Sequence, residues 1–211
     1  MALFLFYFIV YYTRGDIMAN LVFYYGAMGC SKTANALMTQ FQYKEKGLKV
    51  WLIKPEIDTR DDIVKEDGTT ISLVKSRVGI SGEAVVIKSD QSIAPPIGTD
   101  LIICDESQFL SEFQVDELKA IAETKDIPVY CYGLRTDFRT KLFPGSKRLF
   151  ELASKTVELE SICSCGNPAI INARFNSKGE IVTRGSVVEL GGDDRYKALC
   201  YSCWKKLAGD N

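Results

Sequence analysis

The stretch Gly26-Ala27-Met28-Gly29-Cys30-Ser31-Lys32-Thr33 constrains this chain more than any other. Before it lies a β-branched and aromatic run, Asn20 to Tyr25; after it, Ala34, Leu37, Met38 and Phe41 recur at helical spacing. A strand turning sharply into a helix there aims several backbone N–H groups into one concavity, at the positive end of the helix dipole. That is a phosphate site, in which Lys32 reaches the outer phosphates and the Thr33 hydroxyl sits on a magnesium ion. The usual pattern is G-x-x-x-x-G-K-[ST], and Ser31 stands where its second glycine belongs. A loop so altered is also compatible with an ordinary glycine-containing turn, so the rest of the chain has to decide.

Composition narrows the chemistry. A chain of 211 residues fits one α/β domain with a small appendage. The net charge of −1 leaves no electrostatic footprint for wrapping nucleic acid. Histidine is absent, so acid–base work falls to carboxylates, lysine, tyrosine or cysteine. Of seven cysteines, four form two pairs near the C-terminus, which suggests a reducing cytoplasm and a metal rather than disulfides. The apolar run Ala2 to Tyr12 is too short to span a bilayer and lacks the flanks of a secretory signal. No membrane association is expected. Arg14-Gly15-Asp16 can be encoded by a purine-rich stretch resembling a ribosome-binding site, so residues 1–17 read as a start-site extension ahead of Met18, or as an arm.

Further on, strands are expected over Lys49–Lys54, Ala84–Ile87, Asp100–Cys104 and Val129–Gly133. Residues 61–82 are polar and glycine-punctuated and read as a mobile excursion. Ser111 can cap a helix that carries Val115, Leu118, Ile121 and Ala122 on one face, and another helix is expected after Gly145. Strands alternating with helices imply a parallel α/β sheet with right-handed crossovers over residues 18–160. From about Ser161 the pattern changes to cysteine pairs around a β-like hairpin, a smaller domain spanning 161–211.

Two further constellations carry chemistry. Leu101-Ile102-Ile103-Cys104-Asp105-Glu106 is a hydrophobic strand ending in two acids, the expected partner of a phosphate loop. Asp105 can hold magnesium there, while Glu106 can face an acceptor hydroxyl and take its proton. Cys163-x-Cys165 and Cys200-x-x-Cys203 supply four thiolates for a closed, structural zinc site, although ordinary buried thiols fit the same residues.

Taken in order, these blocks resemble the type II thymidine kinases, the zinc-containing, RecA-like class, and are closest in pattern to enterobacterial members. The resemblance rests on Gly26-x-Met28-x-x-x-Lys32-Thr33, Asp58-Thr59-Arg60, Cys104-Asp105-Glu106-x-Gln108-Phe109, Tyr132-Gly133-Leu134-Arg135-Thr136-Asp137-Phe138, Gly191-Gly192-x-x-Arg195-Tyr196 and the cysteine pairs. It implies ATP-dependent phosphorylation of the thymidine 5′-hydroxyl, a salvage step for DNA synthesis. Gly26, Ala27, Met28, Gly29, Cys30, Ser31, Lys32 and Thr33 would bind ATP, together with Asp105, Glu106, Ser107 and Gln108, and Thr33 and Asp105 would serve magnesium. Glu106 would be the proton acceptor, with Lys32 and Arg60 also catalytic. Met28, Asp58, Phe109, Leu134, Phe138 and Phe143 would meet thymidine, as would Val187, Glu189, Leu190, Gly191 and Tyr196 of a lasso loop that closes over the base. Cys163, Cys165, Cys200 and Cys203 would hold the lasso through zinc without touching the phosphate loop. A homotetramer and feedback by thymidine triphosphate follow from the same resemblance. The competing readings are a RecA-like ATPase motor and a DNA-binding zinc ribbon. Both are disfavoured by the charge balance, and the motor also by the lack of a second motor domain.

Overall fold

The computed structural model describes residues 20–59, 62–64, 70–187 and 195–209. The first strand, β1 (Leu21–Gly26), runs into the glycine loop and then into helix α1 (Lys32–Glu45). Next come β2 (Val50–Pro55) and four short strands, β3 (Ile63–Val64), β4 (Thr70–Ile71), β5 (Leu73–Lys75) and β6 (Ser81–Glu83). They are followed by β7 (Val85–Ile87), β8 (Leu101–Cys104), α2 (Glu112–Lys125), β9 (Val129–Leu134), α3 (Pro144–Leu152) and β10 (Lys155–Glu158). The chain ends with β11 (Ile171–Phe175), β12 (Ile181–Val182), β13 (Tyr196–Leu199) and α4 (Tyr201–Ala208).

Six strands form one sheet in the order β10-β1-β9-β8-β2-β7, and every pairing in it is parallel. Side chains alternate between its faces. Ile102 and Cys104 pack with Phe23, Val115, Leu118 and Leu149, beneath α2 and α3. Leu101 and Ile103 pack with Ala36, Leu37, Leu52 and Tyr132, beneath α1. A sheet covered on both faces needs strands that are apolar throughout, and β8 is buried at all four positions. Tyr24 stacks on Tyr132 with centroids 4.6 Å apart, extending the second face.

Three expectations change. On α1 the buried residues are Ala34, Ala36, Leu37 and Gln40, whereas Met38 and Phe41 are 55% and 61% exposed. Small side chains let the helix sit close to the sheet, so the inward stripe is rotated from the one the large residues suggested. The stretch read as an excursion holds two antiparallel hairpins, β3–β4 and β5–β6. They are too short to show alternation, and buried Lys54 anchors them by bonding Asp62 at 2.8 Å and the Leu73 carbonyl at 2.9 Å. Strand β10, which closes the sheet beside β1, was not anticipated. Beyond it, β12-β11-β13 is a separate antiparallel sheet rather than a single hairpin.

Ser111 caps α2 as expected. Its hydroxyl accepts from the Gln114 N–H (3.2 Å) while the Gln114 side chain accepts from the Ser111 N–H (3.1 Å), a complete capping box. Gln114 also donates to the carbonyls of Lys88 (2.7 Å) and Gln91 (3.0 Å). Ser111→Ala should therefore lower unfolding free energy by about 1 kcal/mol, read by denaturant titration. Gln114→Ala should cost more, since it also orphans the contacts to the loop after β7.

Candidate active site

Parallel strands place their C-terminal ends at one edge of the sheet, and the site is built along that edge. Beyond Gly26 the loop turns through Gly29 (φ +79°) and Ser31 (φ +61°, ψ 28°) before α1 begins. Ser31 is left-handed and makes no side-chain cap, so a conformation suited to glycine is held by a residue with a Cβ. Lys32 Nζ folds back to donate to the Ala27 carbonyl at 2.9 Å and the Gly26 carbonyl at 3.4 Å, with Cys30 Sγ at 3.4 Å. The ammonium thus lies inside the loop, where an anion would be cradled.

Asp105 follows β8 and is nearly sealed, 4% exposed. Burial raises its pKa, the Glu106 carboxylate raises it further, and a hydrogen bond from Thr33 and the charge of Lys32 oppose the rise. A buried carboxylate beside a second acid is one that a divalent cation would stabilise as the anion. Glu106 takes left-handed φ +51°, which ends the strand and separates its direction from that of Asp105. Gln108 donates to Glu106 Oε2, while its Oε1 accepts from the Leu134 N–H at 3.0 Å. Ser107 is buried and donates to the Tyr132 carbonyl at 2.9 Å. This packing needs Gly133, where a Cβ would lie 2.7 Å from Ser107 Oγ and 2.9 Å from Gln108 Oε1.

One cleft of about 570 Å³ joins these groups. Its lining includes Met28, Gly29, Ser31, Lys32 and Thr33 of the loop and α1, with Asp58, Asp105, Glu106 and Gln108. It also includes Phe109, Leu134, Phe138, Phe143, Val187 and Tyr196. Phe109 and Phe143 meet edge to face at 5.5 Å, and the Arg174 guanidinium lies 3.7 Å from the Phe138 ring centroid. Gly26, Ala27, Cys30 and Ser107 do not line the cleft but shape what does. Arg60, Glu189, Leu190 and Gly191 fall outside the described residues, as does the whole 1–17 segment.

The cysteine pairs converge. The ligand atoms of Cys163, Cys165, Cys200 and Cys203 all lie within 4.8 Å of one another. Gly166 (φ +86°) turns the first pair, with its N–H on the Cys163 carbonyl at 2.8 Å. The second pair begins α4, where Cys200 Sγ accepts from the Cys203 N–H. Backbone N–H groups of Cys165 and Cys200 pull the Cys163 thiol down to about 6, while the neighbouring sulfurs push Cys203 up to about 12. Four sulfurs gathered this closely are a donor set suited to a thiophilic divalent cation.

The sequence profile of one family, thymidine kinase, matches residues 19–204. The chain is similar to the thymidine kinase of Enterobacteria phage T4, with 40% identity over 197 residues covering 90% of this chain and 97% of that protein. It is also similar to the thymidine kinases of Zymomonas mobilis (38%, 87% of this chain and 94% of that protein) and Vibrio cholerae (37%, 91% and 100%). The chain belongs to the thymidine kinase family.

Family membership leaves several cleft residues that the motifs did not single out. Val74, Lys75, Ser76, Arg77 and Val78, from the β5–β6 hairpin, line the cleft, as do Ile57 and Asn172, beside Thr136 and Asp137 of the Tyr132–Phe138 block. The block Lys75-Ser76-Arg77-Val78-Gly79 was visible in the sequence, but nothing there marked it as facing the loop. Asn172 gave no signal at all, being one residue of a strand. Its Oδ1 accepts from the Met28 N–H at 2.8 Å and its Nδ2 donates to the Thr136 carbonyl at 2.7 Å. Ser161 Oγ donates to the Met28 carbonyl at 3.3 Å. Through Asn172 and Ser161 the cysteine-bearing region thus touches the phosphate loop directly. For Ser31, Ser31→Gly should relieve left-handed strain and raise unfolding free energy by up to about 1 kcal/mol, without weakening nucleoside triphosphate binding. A weakened affinity would show that the loop depends on the serine hydroxyl.

Proposed function

We propose that this protein transfers the terminal phosphoryl group of ATP to the 5′-hydroxyl of thymidine. One observation carries the proposal: a single cleft runs from a phosphate loop with a paired acid turn to an aromatic, apolar chamber. The first end suits a triphosphate, the second a flat base with a methyl group. Backbone N–H groups of residues 26–33 and the Lys32 ammonium hold the phosphates, with Ser107 and Gln108 supporting the turn beside them. Thr33 and Asp105 are the oxygen donors for magnesium, which when bound neutralises charge on the phosphates. Asp58 and Arg60 serve the sugar and the phosphate in transit, and Met28, Leu134, Phe138, Phe143 and Tyr196 enclose the base.

In the transfer, the thymidine 5′-oxygen forms a bond to the γ-phosphorus as the bond from that phosphorus to the bridging β,γ-oxygen breaks. ADP leaves and the hydroxyl proton passes to Glu106. Gln108 donates to one oxygen of the Glu106 carboxylate and so orients it in the cleft. With histidine absent, a carboxylate is the natural proton acceptor.

Zinc, held by Cys163, Cys165, Cys200 and Cys203, is structural in this reading. Residues 18–160 act as the nucleotide-binding domain and 161–211 as the lasso domain, a division supported by the change of sheet after β10. On family resemblance, the reading extends to a homotetramer, to inhibition by thymidine triphosphate and to the cytoplasm. No helix among the described residues is long and apolar enough to cross a membrane.

Thymidine-dependent formation of thymidine monophosphate and ADP by purified protein tests the function. ATP consumption that ignores thymidine and responds to nucleic acid would replace it with the motor reading. Glu106→Gln should lower turnover roughly 10²-fold or more with nucleotide affinity nearly intact, and near-normal turnover would remove Glu106 from its role. Cys200→Ser should lose zinc by elemental analysis, because structural zinc contributes on the order of 10 kcal/mol to a small lobe, and should raise the thymidine Michaelis constant. Metal-free protein that binds thymidine normally would show that packing alone holds the lasso.

A further inference from the structure

Alternate residues of β11 share one face, and of these Asn172 lines the cleft while Arg174 packs behind its wall at Phe138. Asn172, 2% exposed, bonds the Met28 N–H and the Thr136 carbonyl. Arg174, 3% exposed, lies over Phe138 and donates to the Ser186 carbonyl at 2.8 Å, just before the segment read as the lasso. The phosphate loop and the base chamber therefore share one buried amide.

We propose that Asn172 is a positioning residue that couples the nucleotide and nucleoside ends of the cleft, an inference that rests on the roles just proposed for those ends. An amide is suited to the task because it satisfies a donor and an acceptor at once, and no apolar residue of that size could do so. Movement of the 134–138 wall on thymidine is transmitted through Thr136 and Asn172 to Met28, and so to the loop that grips the phosphates. The same strand pairs with β13, which leads directly into Cys200. The state of the cysteine cluster consequently reaches the phosphate loop as well as the lasso.

Calorimetric titration of the whole protein with a non-hydrolysable MgATP analogue, with and without saturating thymidine, reads both affinity and coupling. In the unaltered protein, thymidine should change the analogue's affinity about fivefold or more, within the usual range of such couplings. Asn172→Ala should weaken the analogue by about 5- to 10-fold, the equivalent of one lost hydrogen bond, and bring the thymidine effect close to one. Ile171→Val, on the other face of the same strand, should lower the melting temperature while keeping both affinity and coupling. If Asn172→Ala does not fold, Ser161→Ala, which removes the other hold on Met28, should weaken the analogue about twofold. Wild-type analogue affinity in the folded Asn172 variant, or in Ser161→Ala where that variant replaces it, overturns the proposal, as does a thymidine effect that survives in Asn172→Ala. Failure of the unaltered protein to phosphorylate thymidine would sink the proposed function instead, with analogue affinity still deciding whether Asn172 positions the loop.

Discussion

The pairing of β1 with β9 is the constraint on which the rest of the structure depends. Six consecutive positions run in register from Leu21 opposite Val129 to Gly26 opposite Leu134, and β9 pairs on its other side with β8. Parallel ladders bring the last residues of all three strands to one edge. The phosphate loop after Gly26, the acids after Cys104 and the wall after Leu134 become neighbours without any contact designed between them. A single strand separates loop from acids, and at its end stands Gly133, whose lack of a side chain lets the turn at Ser107 and Gln108 settle against the backbone. Gln108 then ties β9 to Glu106. The register of one sheet thus fixes the relative placement of the two acids and the glycine loop.

A second dependence runs from the C-terminus inward. The antiparallel sheet β12-β11-β13 buries few large residues of its own. Its cluster comprises Cys163, Ala169, Ala173, Leu199 and Cys200, with Phe175, Ile181 and Trp204 partly covering it. Such a core is too small to hold three strands unaided, so a metal on the four sulfurs would supply much of the lobe's stability. Because Asn172 and Arg174 project from the middle strand of that sheet, order at the sulfurs becomes order in the cleft. The lobe is more than a lid: through Asn172 and Ser161 it holds both the N–H and the carbonyl of Met28.

What was legible in the sequence was whatever requires a particular residue type at a particular spacing. A phosphate loop needs glycine and lysine, a strand end suited to a cation needs acids, the α2 cap needs a serine, and a sulfur cluster needs paired cysteines. Residues of each kind stand out in the sequence alone. Less legible was anything set by tertiary packing. On α1, large apolar residues suggested one stripe, and the sheet chose another because Ala36 lets the backbones approach. The β5–β6 hairpin reads as loop, since three-residue strands carry no period, yet it forms one wall of the cleft. Asn172 was invisible for a different reason: a buried asparagine has meaning only once its two partners, 144 and 36 residues away, are known.

The two adjacent acids show how one backbone dihedral divides chemical labour. In a regular strand Asp105 and Glu106 would point to opposite faces, one of them into the apolar core under α2 or α1, where a charge is costly. The left-handed turn at Glu106 avoids this by ending the strand at once. Asp105 stays sealed beside Thr33 and Lys32, in surroundings that disfavour its charge until a cation is near. Glu106 lines the cleft and accepts a hydrogen bond from the Gln108 amide. Neighbours in sequence, the two acids are set apart by one turn, Asp105 sealed and Glu106 on the lining of the cleft.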